Sequence, residues 1–379
     1  MMTIHRPAWF PILHQRVQTH RSYCSRAFSQ SNQPSLARFP NLLFRYSKRH
    51  SVSLSRSFRL VLVSMFLLAD CDGAQSALEP AGRSAEKIAN LFWCMTAGAA
   101  VIWAAVVGLA VYSVRSAPGR KNRQAILMII VGGAVVPTVV LSLLLAYGLS
   151  MMPEMLSPAP EGSLKIAVTG EQWWWRVSYE SSNGEPIAMA NEIHLPVGQP
   201  VEFRLESADV IHSFWIPSLG GKVDMMPGRQ TRLKLEPTRT GVFRGACAEY
   251  CGSSHALMTF FVVVTSKEDF EKWMVHQLEP AQSPVEPIAI LGEKLFHSSG
   301  CGACHAVRGT DAAGLVGPDL THVGSRLSVG AGILPNNAIE FMRWLTHNHT
   351  IKPEVLMPSF RMLPKEDLLA LAAYLDALQ

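Results

Sequence analysis

Two stretches of the chain, residues 91–114 and 126–149, run without a single charged side chain. At 1.5 Å per residue each gives about 36 Å of helix, enough to cross the hydrocarbon layer of a bilayer. A pair of buried core helices is the rival reading, and the length of the runs argues against it. The pattern changes over residues 163–265. SLKIAVTG, WWWRVSYE, EIHLPV, PVEFRLES, TRLKLEP and MTFFVVVT are short runs rich in β-branched and aromatic residues, punctuated by Gly and Pro. They predict strands of a sandwich or barrel. Residues 276–287 are polar and contain Pro, as a linker does. Over 364–378 the apolar residues return at helical spacing and predict a closing helix. One further apolar run, 58–69, follows Arg56 and is interrupted by Arg59. It has the length of a signal-peptide core and is too short to span a membrane.

Composition sharpens this picture. The chain is 48% apolar and only 17% charged, against ~25% charged in an average soluble domain. Its seven cysteines are too few for a disulfide-dense scaffold, so their spacing carries the information. The formal charge of +5 is very unevenly spread: ten Lys and Arg precede Asp70, and no acid does. Residues 1–57, rich in Arg, Ser and His, resemble a transit peptide in composition; they equally resemble a start placed too far upstream. Leu68-Ala69-Asp70-Cys71 resembles a bacterial lipoprotein cleavage box with Cys71 as the lipidated residue, although Asp70 departs from the usual small residue. The other reading is an ordinary cleaved leader with an incidental Cys71. The segment between the two apolar runs holds Arg115, Arg120, Lys121 and Arg123 and no acid. By the positive-inside rule it is cytoplasmic, so everything after about residue 149 is expected outside. That exterior part carries 18 basic against 25 acidic residues. A nucleic-acid-binding function therefore has no basic domain to rest on. Neither span holds an ionisable side chain that could relay protons. An anchored redox domain, or a subunit docked on a larger membrane partner, is the expectation.

The candidate chemistry starts at Cys247-Ala-Glu-Tyr-Cys251-Gly-Ser-Ser-His255-Ala-Leu-Met258, with His212 further back in Asp209-Val-Ile-His-Ser-Phe-Trp215. Thiolate and thioether sulfur favour copper, and imidazole suits it too. A mononuclear blue-copper site needs one Cys, two His and a weak Met. The second thiolate here lets two sulfurs bridge two ions, each with one terminal His, while Met258 and a backbone carbonyl serve as weak axial donors. A Cys247–Cys251 disulfide and a zinc site are the alternatives, and Met is a poor zinc ligand. His212 taken alone reads as a structural histidine.

At these residues the chain resembles subunit II of the haem–copper cytochrome c oxidases over residues of about 85–275. The pattern Cys-x-Glu-x-Cys-x-x-x-His-x-x-Met is complete. The resemblance implies a dinuclear copper centre, CuA, on a cupredoxin domain behind a two-helix hairpin. Cys247 and Cys251 would bridge the coppers and His212 and His255 would be terminal ligands. Met258 and the carbonyl of Glu249 would be axial, and the Glu249 carboxylate would reach a magnesium ion shared with subunit I. Gly170-Glu-Gln-Trp-Trp-Trp175 matches the family's aromatic stretch, which makes Trp173 the residue where electrons enter; a core or interface aromatic cluster is the plainer reading. Lys222-Val-Asp224 and Pro227-Gly-Arg229 also match. One departure is Ile130, where the family often has a glutamate at the entrance of a proton pathway.

Behind the linker stands Gly300-Cys301-Gly-Ala-Cys304-His305. Cys-x-x-Cys-His reads as covalent attachment of haem c, with His305 beneath the iron. Met357, in Val355-Leu-Met-Pro-Ser-Phe360, is the candidate for the other face. Met342, Met362, His347 and His349 compete with it, Met342 from within an apolar helical pattern that suits the core. A Met/His pair closes both axial positions, which suits electron transfer. Gly317-Pro-Asp-Leu-Thr-His-Val-Gly-Ser-Arg326 resembles the loop of a class I cytochrome c that passes the haem edge, with His322 structural. A thioredoxin-like reading of the Cys pair lacks the βαβ pattern it needs.

The expected architecture is a leader (1–71), a two-helix transmembrane hairpin (85–150), an all-β cupredoxin-like sandwich (151–275), a linker (276–287) and an all-α class I cytochrome c domain (288–379). The resemblance is to the caa-type oxidase subunit II, in which a cytochrome c domain is fused behind the CuA domain. It implies a respiratory electron-transfer subunit in a bacterial inner membrane, with both redox domains periplasmic. Its implied partners are oxidase subunit I, further oxidase subunits, membrane lipid and a cytochrome c or equivalent donor. The CuA subunit of a nitric oxide reductase and a membrane-anchored copper chaperone are the alternative functions.

Overall fold

The computed structural model describes residues 73–115, 122–180 and 186–379. The leader, with Cys71, and the loop residues Arg120 and Lys121 lie outside the described residues.

Helix α1 (Arg83–Arg115) has Glu86 in its first turn and Arg115 in its last, the placement that complements a helix dipole. The second apolar run forms α2 (Asn122–Ile130), a π-helical turn at Val131–Val135 and α3 (Val136–Leu156). The π turn contains Gly132 and Gly133, residues that let the hydrogen-bond ladder widen. Both helices are long and apolar enough to cross a membrane. Val101 (70%) and Val114 (86%) stand exposed, as suits a helix whose solvent is lipid. The helices exceed the charge-free runs. α1 begins eight residues before residue 91, and α3 continues to Leu156 through Pro153. The first turn of α1 is packed rather than free: Ala85 and Ala89 are buried. A Cβ on Gly82 would come within 2.4 Å of the Leu219 carbonyl oxygen, so the entry to the helix lies tight against the sandwich.

Among the described residues ten strands form that sandwich: β1 (Leu164–Glu171), β2 (Trp174–Tyr179), β3 (Ile187–Ala190), β4 (Glu192–Pro196), β5 (Val201–Ser207), β6 (His212–Trp215), β7 (Val223–Met225), β8 (Thr231–Leu235), β9 (Gly241–Cys247) and β10 (Thr259–Thr265). One sheet has the order β3-β2-β1-β5-β8 and the other β4-β10-β9-β6-β7. β1 pairs parallel with β5, and β10 with β4. The alternating burial along β1 and β2 is what a half-buried strand gives. Inside, Trp175, Phe203, Phe214 and Phe260 are fully buried. Trp175 meets Phe260 edge-on at 5.3 Å, and Phe214 stacks on Phe260 at 4.9 Å. This aromatic column underlies the ligand-bearing strands β6 and β9.

Helix α4 (Lys267–Leu278) follows, capped by Ser266, whose hydroxyl accepts from the Asp269 N–H. Its last turn occupies the start of the expected linker. Then come α5 (Pro287–Ser298), a two-stranded ribbon of β11 (Ser328–Val329) and β12 (Leu334–Pro335), α6 (Ala338–Ile351) and α7 (Lys365–Ala377). α5 and α7 cross closely at Gly292, where a Cβ would sit 2.0 Å from the Ala370 carbonyl oxygen. Phe296, Leu345, Leu371 and Tyr374 build the second core.

Candidate metal and haem sites

The copper candidates come from three places in the sandwich. His212 opens β6, Cys247 ends β9, and Cys251, His255 and Met258 lie on the loop between β9 and β10. The structure brings them together. Cys247 Sγ lies 3.8 Å from Cys251 Sγ and 3.8 Å from His212 Nδ1. Cys251 Sγ lies 3.5 Å from His255 Nδ1 and 3.8 Å from Met258 Sδ. The carbonyl oxygen of Glu249 is 3.2 Å from Cys247 Sγ. Both cysteines are free thiols; a disulfide would need the sulfurs at about 2.05 Å. The donor set is two thiols, two imidazoles, a thioether and one carbonyl around one point, and it fits a pair of soft, sulfur-bridged copper ions. The presence of Met258, fully buried, among these donors does not suit zinc.

Backbone and side-chain partners hold the donors. The Cys247 N–H donates to the Met258 carbonyl at 3.0 Å, tying the strand to the end of the loop. His212 places Nε2 2.8 Å from Asp209 Oδ1, so the imidazole turns Nδ1 toward the sulfur. Asp209 Oδ2 in turn accepts the Gln172 N–H at 2.6 Å. Gly170 leaves the space that the His212 ring fills: a Cβ there would lie 2.8 Å from Cδ2. Burial opposes protonation of His212, but Cys247 and Asp209 outweigh it and raise its pKa. Cys251, with His212 and nearby backbone groups, holds the Cys247 thiol well below the usual thiol range, while Cys247 and burial push Cys251 up.

Trp173 is buried, and its indole N–H donates to the Cys251 carbonyl at 3.1 Å. The Gln172 amide donates to the same oxygen at 2.7 Å. Trp173 therefore touches the backbone of a candidate ligand and is not simply a member of the aromatic core. The Gln172–Trp173 peptide is cis. Glu249 itself is exposed. Asp224 accepts from Ser213 Oγ at 2.7 Å, a contact that lowers its pKa.

In the second domain Cys301 and Cys304 sit on a single 3-10 turn entered through Gly300 at φ 77°, where glycine carries no Cβ penalty. His305 Nδ1 donates to the Pro318 carbonyl at 2.8 Å and leaves Nε2 to face a metal. Burial lowers the His305 pKa and keeps the imidazole neutral, the form that ligates iron. A Cβ on Gly317 would come within 2.5 Å of the ring, so that glycine is part of its seat. Met357 packs half-buried on the second core, and the amide of the fully buried Asn348 donates to its carbonyl at 2.8 Å. Met362 (74%) is exposed, as are His347 and His349, and Met342 packs against the core from α6. Two thiols, a neutral imidazole and a tethered thioether suit haem c. His322 is buried, with ring nitrogens 2.7 Å from the Gln379 carbonyl and 3.0 Å from the Glu279 carbonyl.

Sequence reading missed the residues that act across the chain. Asp209, Gln172, Pro318 and Asn348 support ligands from sites remote in sequence or through the backbone. Lys352, 2% exposed, donates to the Leu257 carbonyl at 3.1 Å. Burial pushes its ammonium down to about 7, against the pull of Cys251. Asp209, Gln172 and Pro318 each fall inside a quoted motif, but nothing in those motifs marks their supporting roles; Asn348 and Lys352 fall in none.

The two domains match two known families. Residues 179–266 match the family described as cytochrome c oxidase subunit II, periplasmic domain, and residues 289–379 match cytochrome c. The chain is 39% identical over 225 residues to cytochrome c oxidase subunit 2 of Alkalihalophilus pseudofirmus, covering 59% of this chain and 64% of that protein. It is 34% identical over 231 residues to the subunit 2 of Bacillus sp. strain PS3, covering 58% of this chain and 63% of that one. The chain thus spans just under two thirds of the length of these relatives. The crystal structure of the periplasmic domain of subunit II of cytochrome oxidase (CoxB) of Bradyrhizobium japonicum is 31% identical, with a TM-score of 0.30 over 32% of this chain and 96% of that one. Residues 179–266 thus resemble the periplasmic domain of cytochrome c oxidase subunit II, and residues 289–379, which follow it in the same chain, resemble cytochrome c.

Proposed function

We propose that this chain is the electron-transfer subunit of a terminal respiratory oxidase. It takes electrons from an exterior donor at haem c, passes them to a dinuclear copper centre and delivers them to a catalytic subunit I that reduces oxygen to water. The carrying observation is the convergence of Cys247, Cys251, His212, His255, Met258 and the Glu249 carbonyl, with sulfur–donor separations of 3.2 to 3.8 Å. Cys247, Cys251, His212, His255, Met258 and the Glu249 carbonyl would hold the two coppers. Cys301, Cys304, His305 and Met357 would hold the haem. The bound groups supply one-electron couples that need no bond rearrangement; everything else is done by the chain.

What the chain does is exclude water and fix the donors before the metal arrives. Cys247, Cys251 and Met258 are buried. Asp209 holds the His212 tautomer, and the Pro318 carbonyl holds that of His305. Trp173, on the Cys251 carbonyl, is placed to conduct electrons into the copper loop. The exposed Glu249 carboxylate would be free to bind a magnesium ion shared with subunit I. The proposed domain scheme is leader 1–71, hairpin 85–150, copper domain 151–275, linker 276–287 and haem domain 288–379. The hairpin would lie in a bacterial inner membrane with both redox domains periplasmic, beside lipid, subunit I and further oxidase subunits, and a cytochrome c or equivalent would be the donor. A copper carrier would need neither Met258 in register nor a haem domain.

The test is Cys247→Ser in the membrane complex. The near-infrared copper band and oxygen uptake should both vanish while haem c stays reducible. Oxygen uptake at the unaltered rate in that variant sinks the reading.

A further inference from the structure

Lys352 caps the C-terminal end of α6 from inside the protein. Its backbone is extended (φ −138°, ψ 95°). Its N–H donates to the Asn348 carbonyl at 2.7 Å. Its ammonium leaves the haem domain altogether and donates to the Leu257 carbonyl, 3.1 Å away on the copper loop. Leu257 immediately precedes Met258. Asn348 reaches the other way: its side-chain amide donates to the carbonyls of Met357 at 2.8 Å and Pro358 at 3.2 Å. A buried polar strut therefore joins the loop of one methionine to the loop of the other. Beside it, Ser254 Oγ donates to the Pro353 carbonyl at 2.7 Å.

Such a strut is costly to build. An ammonium has three donors and is strongly hydrated in water. At 2% exposure Lys352 has given that hydration up, and among the described residues no carboxylate lies within ion-pair distance of it. An apolar side chain of similar volume would fill the space without the desolvation cost. What it could not supply is a directed bond to Leu257. The feature that distinguishes lysine here is the bond that ties one domain to the other.

We propose that Lys352 is a positioning residue: it fixes the Met357 loop of the haem domain on the Met258 loop of the copper domain and so sets the rate at which an electron crosses between them. This rests on the reading of Met357 and Met258 as axial ligands. In the step concerned one electron leaves the haem iron, which goes from ferrous to ferric, and one copper equivalent is reduced. No bond is made or broken and no proton moves.

The experiment compares the full chain, in its membrane complex, with Lys352→Met and Lys352→Gln. Met keeps the bulk and removes the donor; Gln keeps an N–H and removes the charge. The first readout is amide hydrogen exchange on haem-loaded, copper-free chain. Lys352→Met should exchange about tenfold faster over 253–258 and 352–358, with the rest of the haem domain unchanged. The second is the electron-crossing rate after rapid reduction of haem c in metal-loaded complex. It should fall about tenfold in Lys352→Met and by no more than about threefold in Lys352→Gln. Acceleration of exchange throughout the haem domain would reduce Lys352 to a general structural role and overturn the proposal. If Lys352→Met does not fold, Ser254→Ala probes the same seam by removing one hydroxyl, with an expected slowing of about threefold. An unaltered crossing rate in a copper- and haem-loaded variant overturns the positioning role alone. Failure of the unaltered chain to take up copper overturns the reading beneath it as well.

Discussion

Asp209 shows what the spacing of ligands leaves out. His212 could present either nitrogen to a metal, and Asp209 Oδ1 at 2.8 Å from Nε2 decides that it is Nδ1. The same carboxylate also accepts the Gln172 N–H through its other oxygen. An asparagine has one acceptor and cannot serve both. Asp209→Asn should therefore lower copper affinity about 10- to 100-fold, as loss of an outer partner to a ligating histidine does. Titration against a chelator of known affinity measures it, and unchanged affinity would refute the role. The ligands themselves were legible because five of them fall on a short segment whose donor types allow few metals. Their supporters were not. Asn348 and Lys352 matter through carbonyls brought to them by folding, and a carbonyl is the same in every residue.

At the scale of elements the sequence showed the long spans, the strands rich in β-branched and aromatic residues, and the last helix. It did not show β6 or β9, which carry His212 and Cys247. β6 is four residues long, and β9 contains two glycines, so neither offers the β-branched run that marks a strand. One of the glycines has a packing reason. A Cβ on Gly245 would lie 2.0 Å from Phe260 Cζ, inside the aromatic column beneath the copper site. Gly245→Val should destabilise the sandwich by more than the ~1–3 kcal/mol of ordinary overpacking, because a whole ring must leave its place. At ~2–4 °C per kcal/mol for a unit of this size, the copper-domain transition should drop by roughly 10 °C. Calorimetry that finds it within ~2 °C of the unaltered chain refutes the packing argument. Helix α4 was hidden for a different reason: charged residues fill so much of it that its apolar stripe is thin, and only Ser266 with Asp269 marks its start.

On the whole molecule, the +5 of the chain misleads about the surface a donor meets. Residues 150–379 carry 25 acidic against 18 basic side chains, and these include both redox domains. The proposed haem attachment is approachable: Cys304 is exposed, and Leu315 (77%) and Val316 (68%) stand out on the loop that leads to the His305 seat. The candidate copper ligands Cys247, Cys251 and Met258 are themselves buried, as is Trp173, and Ser254 and Lys352 bond across the seam between the domains, although Glu249 and Tyr250 on the same loop stand exposed. A protein donor should then deliver to the haem domain, guided by the field of an acidic exterior. Exposed charges lose their reach once the Debye length falls from about 10 Å at 0.1 M salt toward about 3 Å at 1 M. Reduction of haem c by a basic cytochrome should slow about tenfold or more between 0.05 and 0.5 M salt. An uncharged hydroquinone has no field to follow and should change by less than about twofold over the same range. Stopped-flow traces of haem c reduction with the two donors separate the cases. Parallel salt dependence for both donors would mean that salt acts on the chain itself. A cytochrome rate that is flat or rises with salt would place the acidic residues away from the haem and refute the steering argument.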